Sequence, residues 1–193
     1  LLKDLGLKEP EMPGHTLAEA IMIPTLNING LQSASVGAQA SNVIPTKAEA
    51  VLDLRLVKGN DWKRQAQKVI DHIKAKGYTV IDHEPTDAER ASFARLVKVQ
   101  VAHGYNAQRT PMDLPLARQV QEAVQRITKE PLVLIPSAGG SLPLYLFEEL
   151  LQTAVLTIPV VNYDNNQHAE NENVRIDYLW EGIETIAAVM AGH

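Results

Sequence analysis

Apolar and polar residues alternate with two different periods along this chain, and the change of period divides it. Residues 24–31, PTLNINGL, set Leu26 and Ile28 against Asn27 and Asn29, the signature of a half-buried strand. The loop SASVGAQASN follows, and residues 48–57 alternate again. There Ala48, Ala50, Leu52, Leu54 and Leu56 share one face, while Glu49, Val51, Asp53 and Arg55 share the other. Asn60 is placed to cap a helix with the stripe Trp62, Ala66, Val69, Ile70 and Ile73, stopped at Gly77 and followed by a short strand over 78–81. Strand, strand, helix and strand in this order suit a small α+β layer in which one helix covers an antiparallel sheet. Residues 83–96 show only a weak pattern, with Thr86 a possible cap, before LVKVQVAHG resumes alternation.

From Asp113 onward longer helices alternate with short, wholly apolar runs. Asp113 and Pro115 open a helix whose face is Leu116, Val120, Val124 and Ile127. Residues 131–135 and 155–161 read as buried strands, joined by a helix capped by Ser141 and carrying Leu144, Phe147, Leu150 and Leu151. That is a βαβ unit with parallel strands. Asn173 is expected to cap a last helix with the stripe Ile176, Leu179, Trp180, Ile183, Ile186, Ala187 and Met190. Residues 1–21, with Pro10, Pro13 and Gly14, hold no sustained period and read as a lead-in.

Composition narrows the function. At 193 residues with 45% apolar and 21% charged residues the chain is globular, and no apolar run approaches the ~20 residues of a membrane span. A net charge of -5 without a Lys/Arg cluster argues against nucleic acid. No cysteine is present, so any metal must be held by His and carboxylates, and the compartment stays open. The opening LLKDLGLKEP has neither an initiator Met nor a signal-peptide pattern, which suggests a piece of something longer.

Chemistry concentrates in residues 162–173, NYDNNQHAENEN, between the last apolar run and the last helix. Asp164, His168, Glu170 and Glu172 are poor core material, and they lie where open α/β sheets place ligands. His168 is the best metal-ligand candidate. A calcium loop is excluded, because Ala169 stands where the sharp-turn glycine belongs and no terminal acid follows. A solvated loop of Asn and Asp turns fits the same residues. Parallel strands would bring the Gly139-Gly140-Ser141 turn to the same rim, where glycines and free helical N–H groups admit a carboxylate. A tight strand-to-helix turn explains it equally. Arg55 suits a carboxylate clamp or a surface pair with Asp53 or Glu49, and Asn42 suits a substrate carbonyl or a turn. The remaining histidines, His15, His72, His83, His103 and His193, read as surface residues.

Taken in order, PTLNINGL, NVIPTKAEAVLDLRLV, GGSLP and NNQHAENEN resemble the later portion of the dizinc metallopeptidase family of carnosinase-type dipeptidases, aminoacylase and succinyl-diaminopimelate desuccinylase. The resemblance implies an α/β fold. It would comprise part of a zinc-peptidase-like α/β/α catalytic domain (108–193) and part of an α+β, ferredoxin-like lid or dimerisation domain (22–107), after the lead-in at 1–21. It further implies two divalent metal ions, zinc, manganese or cobalt, bridged by water, and hydrolysis of the amide bond of dipeptides or N-acyl amino acids. His168 becomes a terminal metal ligand and Arg55 the clamp for the substrate carboxylate. Asn42, Gly140 and Ser141 become substrate contacts, and the lid a homodimer contact. The family's His-x-Asp pair, bridging Asp, paired Glu and first lid strand have no counterpart here, so the isolated chain is expected to be inactive. The competing expectations are a non-catalytic dimerisation or ligand-binding module derived from that fold, and a free-standing α/β domain with a structural polar loop.

Overall fold

A long hairpin leads the molecule. In the computed structural model, which describes residues 2–3, 6–140 and 142–192, β1 (Thr25–Gln32) runs antiparallel to β2 (Glu49–Arg55). Pairing starts at Thr25 with Arg55 and ends at Gln32 with Glu49. The register shifts between Ile28 and Gly30, so Asn29 is the extra residue of a bulge. A bulge reverses the inside–outside sense of a strand, and the simple alternation expected for 24–31 does not persist through it. Ser33 Oγ donates to the Lys47 carbonyl (3.2 Å) and ties the base of the intervening loop, whose 3-10 turn spans Gly37–Gln39.

Short-range chemistry sets the helix ends. Thr16 and Glu19 form a reciprocal capping box at α1 (Leu17–Ala20), inside the segment expected to be a lead-in. The T-x-x-E signature was there to be read. Helix α2 (Trp62–Ala75) is capped by Asp61, whose carboxylate accepts the Arg64 N–H at 2.8 Å. Asn60, the expected cap, lies one residue too early and instead receives the Val57 N–H at 3.5 Å. Asn106 Oδ1 takes the first-turn N–H of Trp62 (2.9 Å), and Gly77 ends the helix region at φ +83°.

Strand β3 (Thr79–Ile81) pairs in parallel with β4 (Leu96–Lys98), across a crossover that contains α3 (Asp87–Ser92). The expected single antiparallel sheet is thus two separate two-stranded pieces. Parallel pairing requires a crossover element, and α3 supplies it. Thr86 and Glu89 form a second capping box at its start. His83 lies between Asp82 (3.2 Å) and Glu89 (3.0 Å), and the hydrogen bond to Asp82, then that to Glu89, raises its pKa above the usual histidine value.

The second helical part contains α4 (Pro115–Ile127), α5 (Tyr145–Leu151) and α6 (Ile176–Ala191), with α4 packed on α6. Ala117 and Ala123 of α4 are buried, as is Gly182 of α6. Two compact units result: residues 1–108 with 139–145, and residues 109–138 with 146–193.

The expected buried strands at 131–135 and 155–161 are absent among the described residues, and with them the parallel βαβ unit. Val133 is 84% exposed and Ile135 61%. An extended apolar run becomes a strand only if a neighbour accepts its backbone hydrogen bonds, and here side chains take that place. Gln125 accepts the Leu132 N–H (3.1 Å) and donates to the Glu130 carbonyl (3.1 Å). Thr110 Oγ1 donates to the Val155 carbonyl (2.7 Å) and accepts its N–H (3.1 Å). Helix α5 begins at Tyr145; the Ser141 cap expected for it falls outside the described residues. Helix α6 starts after Arg175 with no side-chain cap, so Asn173 does not cap it.

Gly182 gives a direct test of packing. A Cβ there would sit 2.9 Å from Val160 Cβ and 3.3 Å from its Cγ1. In an exposed helix Gly→Ala stabilises by about 1 kcal/mol. Here the clash is with a β-branched carbon that rotation cannot remove, and overpacking costs ~1–3 kcal/mol. Gly182→Ala is therefore expected to lower the urea midpoint of the α4–α6 unit; an unchanged or higher midpoint would contradict the close approach.

Candidate functional site

The polar loop between Val161 and α6 is built around a buried amide. Asn162 is 1% exposed, the buried polar side chain of the described residues. Its Nδ2 donates to Asp164 Oδ1 (2.8 Å) and Asn173 Oδ1 (3.3 Å), and its Oδ1 accepts the Arg175 N–H (3.0 Å). Asn173, expected as the α6 cap, is occupied with this bond and with donation to the Asn171 carbonyl (2.8 Å). Arg175 closes the outside of the loop through an ion pair with Asp164. The Asn162 hydrogen bond foremost, with the Arg175 charge, holds the Asp164 carboxyl below its usual pKa.

Inside this frame the backbone turns repeatedly. Asn165 Oδ1 accepts the Gln167 N–H (2.9 Å), Ala169 N–H reaches the Asn166 carbonyl (3.1 Å), and Asn173 N–H reaches the Asn165 carbonyl (2.9 Å). Asn166, His168 and Asn171 adopt the left-handed region at φ +57°, +65° and +62°. Asparagine enters that region readily, and histidine does so less often. His168 itself is exposed. The solvated-loop reading and the ligand reading thus describe the same object: Asn and Asp side chains make the turns, and the imidazole stands outside them.

Arg55 lies at the end of β2 with Nε 2.5 Å from Asp53 Oδ2, the surface pair that the sequence offered as its alternative to a clamp. Asn42 is exposed in the loop at the other end of the hairpin. At ~3.3 Å per residue the ladder from Glu49 to Arg55 is about 20 Å long. Gly139 and Gly140 face open space where a Cβ would be, and neither has positive φ. The Gly140 turn belongs to the first compact unit and His168 to the second. Ser141 lies outside the described residues.

Among the described residues no group of three or more His, Cys, Asp or Glu side chains is arranged to hold a metal ion. A zinc site takes about four donors, so His168 does not form one with its loop neighbours. No described helix is long and apolar enough to cross a membrane.

Comparison with known proteins relates this mixed α/β chain to metallopeptidases. Residues 8–80 match the family model of the M20 peptidase dimerisation domain. The Cys-Gly metallodipeptidase DUG1 of Saccharomyces cerevisiae is 27% identical over 168 residues, covering 86% of this chain and 32% of that protein. Among solved structures, the M20 family metallo-carboxypeptidase Sso-CP2 from Sulfolobus solfataricus superposes with a TM-score of 0.75 at 26% identity, over 98% of this chain and 40% of that one. Human carnosine dipeptidase 1 gives 0.71 at 19% identity, over 99% and 39%. Residues 8–80 are thus similar to the M20 peptidase dimerisation domain, and the fold of the chain is similar to part of the M20 metallopeptidase fold. It spans about a third of the length of the curated relatives it matches.

The depressed Asp164 pKa has a signed consequence. Because the folded pKa lies below the unfolded value near 3.8, Asp164 stabilises the loop above that pH, and the contribution is lost as pH falls through the folded pKa. NMR shifts of the Asn162 side-chain amide and the Arg175 N–H should stay constant from pH 7 to about 5 and move only in the acid range. Asp164→Asn should remove that acid transition; a transition near neutrality would refute the assignment.

Proposed function

We propose that this chain is a portion of a metal-dependent peptidase that cleaves the amide bond of dipeptides or related N-acyl amino acids. The observation that carries the reading is the joint one: similarity to a Cys-Gly metallodipeptidase over most of the chain, and superposition on an M20 metallo-carboxypeptidase over nearly all of it. In this reading His168 is one terminal ligand of a site whose other donors come from further polypeptide. The matched relatives are about three times longer, which leaves room for those donors. Zinc, manganese and cobalt all accept an imidazole beside carboxylates.

Arg55 is the clamp for the free carboxylate of the substrate. Its guanidinium sits on a strand at the end of a rigid ladder, and exchanging Asp53 for a substrate carboxylate preserves the charge pairing. Asn42 and Gly140, with Ser141, contribute substrate contacts, Asn42 through its side-chain amide and Gly140 through its open backbone face. The M20 dimerisation match at 8–80 supports a homodimer through the hairpin-bearing part. The same match favours a second reading, a dimerisation or ligand-binding module without chemistry of its own.

Two results test the first reading. The purified 193-residue chain, incubated with Cys-Gly and Zn2+ or Mn2+, is expected to release no glycine above the metal-only blank, since a zinc site takes about four donors and no group of three or more His, Asp or Glu is arranged for a metal among the described residues. Metal-dependent hydrolysis by this chain alone would overturn the proposal. In a catalytically complete protein containing the chain, Arg55→Ala should raise KM for dipeptides about 10–100-fold, the equivalent of ~1.5–3 kcal/mol for a charge-assisted bond. An unchanged KM would remove Arg55 from the site.

A further inference from the structure

We propose that Asn162 is the positioning residue of the His168 loop: its buried carboxamide joins the two ends of the loop and so sets the direction in which the imidazole leaves the fold. The proposal rests on the reading of His168 as a metal ligand. Asn162 reaches Asp164 at the start of the loop, and Asn173 and Arg175 at its return to α6. Both amide hydrogens and the carbonyl oxygen are used, with the side chain sealed from solvent. Loss of a partner would leave part of this buried amide unmet, while Asp164, Asn173 and Arg175 are themselves exposed.

The residue type matters as much as the place. The Asn162 carbonyl must accept a backbone N–H while its NH2 donates to two oxygens, one of them the Asp164 carboxylate. Aspartate would keep the size and the acceptor, lose both donors, and set a second carboxylate against Asp164. Serine would lose the reach.

His168 makes the frame necessary. A non-glycine residue at φ +65° holds that conformation only where its surroundings over-determine it. The bonds doing so involve Asn165, Asn166 and Asn173 rather than the imidazole, leaving the exposed ring available to a ligand. Asn162 is the buried link between these turns and the entry to α6. Second-layer partners of this kind orient metal-binding histidines in general.

The test compares Asn162→Asp, Asn162→Ala, Asp164→Asn and His168→Ala. Hydrogen exchange at the Ala169 and Asn173 amides is read in the 193-residue chain, and Zn2+ affinity in a metal-loaded protein that contains it. Both Asn162 variants should accelerate exchange at those two amides at least ~10-fold while amides within α4 and α6 keep their protection, and should weaken Zn2+ binding ~10–100-fold. Asp164→Asn should have the smaller effect on both. If His168→Ala leaves Zn2+ affinity intact, the ligand reading fails, while the exchange data still judge the frame. If His168→Ala loses metal but the Asn162 variants change neither readout, the positioning role is overturned. It is overturned equally if Asn162→Asp accelerates exchange throughout α4 and α6, because the residue would then be merely structural.

Discussion

Every backbone N–H and C=O taken from water needs a partner, and in this chain that requirement decides what each apolar run becomes. Where two strands are both present, as in β1 with β2 and β3 with β4, a ladder forms and the sequence pattern is realised. Elsewhere side chains substitute for a neighbouring strand. Gln125 serves residues 130–132, Thr110 serves Val155, and Asn162 serves Arg175 at the start of α6. A side chain supplies one or two bonds at a fixed point, so it anchors an extended run without making it a strand. The apolar faces of those runs, and of α6 at Trp180 and Met190, remain exposed.

The same accounting explains the candidate site. The loop after Val161 is polar from end to end, yet its organising group is inside. One buried carboxamide joins the start and the return, and left-handed residues between them turn the chain back on itself. His168 thereby stands on an ordered support while its ring stays exposed. Arg55 has the opposite construction, an exposed cation on a regular ladder, already paired with a carboxylate.

Some misreadings had a signal and others did not. The box Thr16–Glu19 obeys the same T-x-x-E rule as Thr86–Glu89, but prolines and a lack of periodicity surround it and its helix is a single turn. Asp61 rather than Asn60 caps α2, a choice between adjacent residues that can both cap. Gly30 hinted at the bulge that shifts the β1–β2 register. Nothing in the spacing showed that Asn173 would turn inward to Asn162 instead of forward to α6, since that depends on a partner eleven residues away.

By itself the sequence determined the longer helices α2, α4 and α6, the two strands of the hairpin, and His168 and Arg55 as candidate groups. Each of these depends on periodicity, on residue chemistry, or on interactions within a few positions. Only the tertiary structure decided that the apolar runs at 131–135 and 155–161 stay out of any ladder, that β3 pairs in parallel with β4, and that Asn162 holds the His168 loop. These outcomes turn on which distant backbone or side-chain group is present to complete a hydrogen bond, and local sequence carries no record of that.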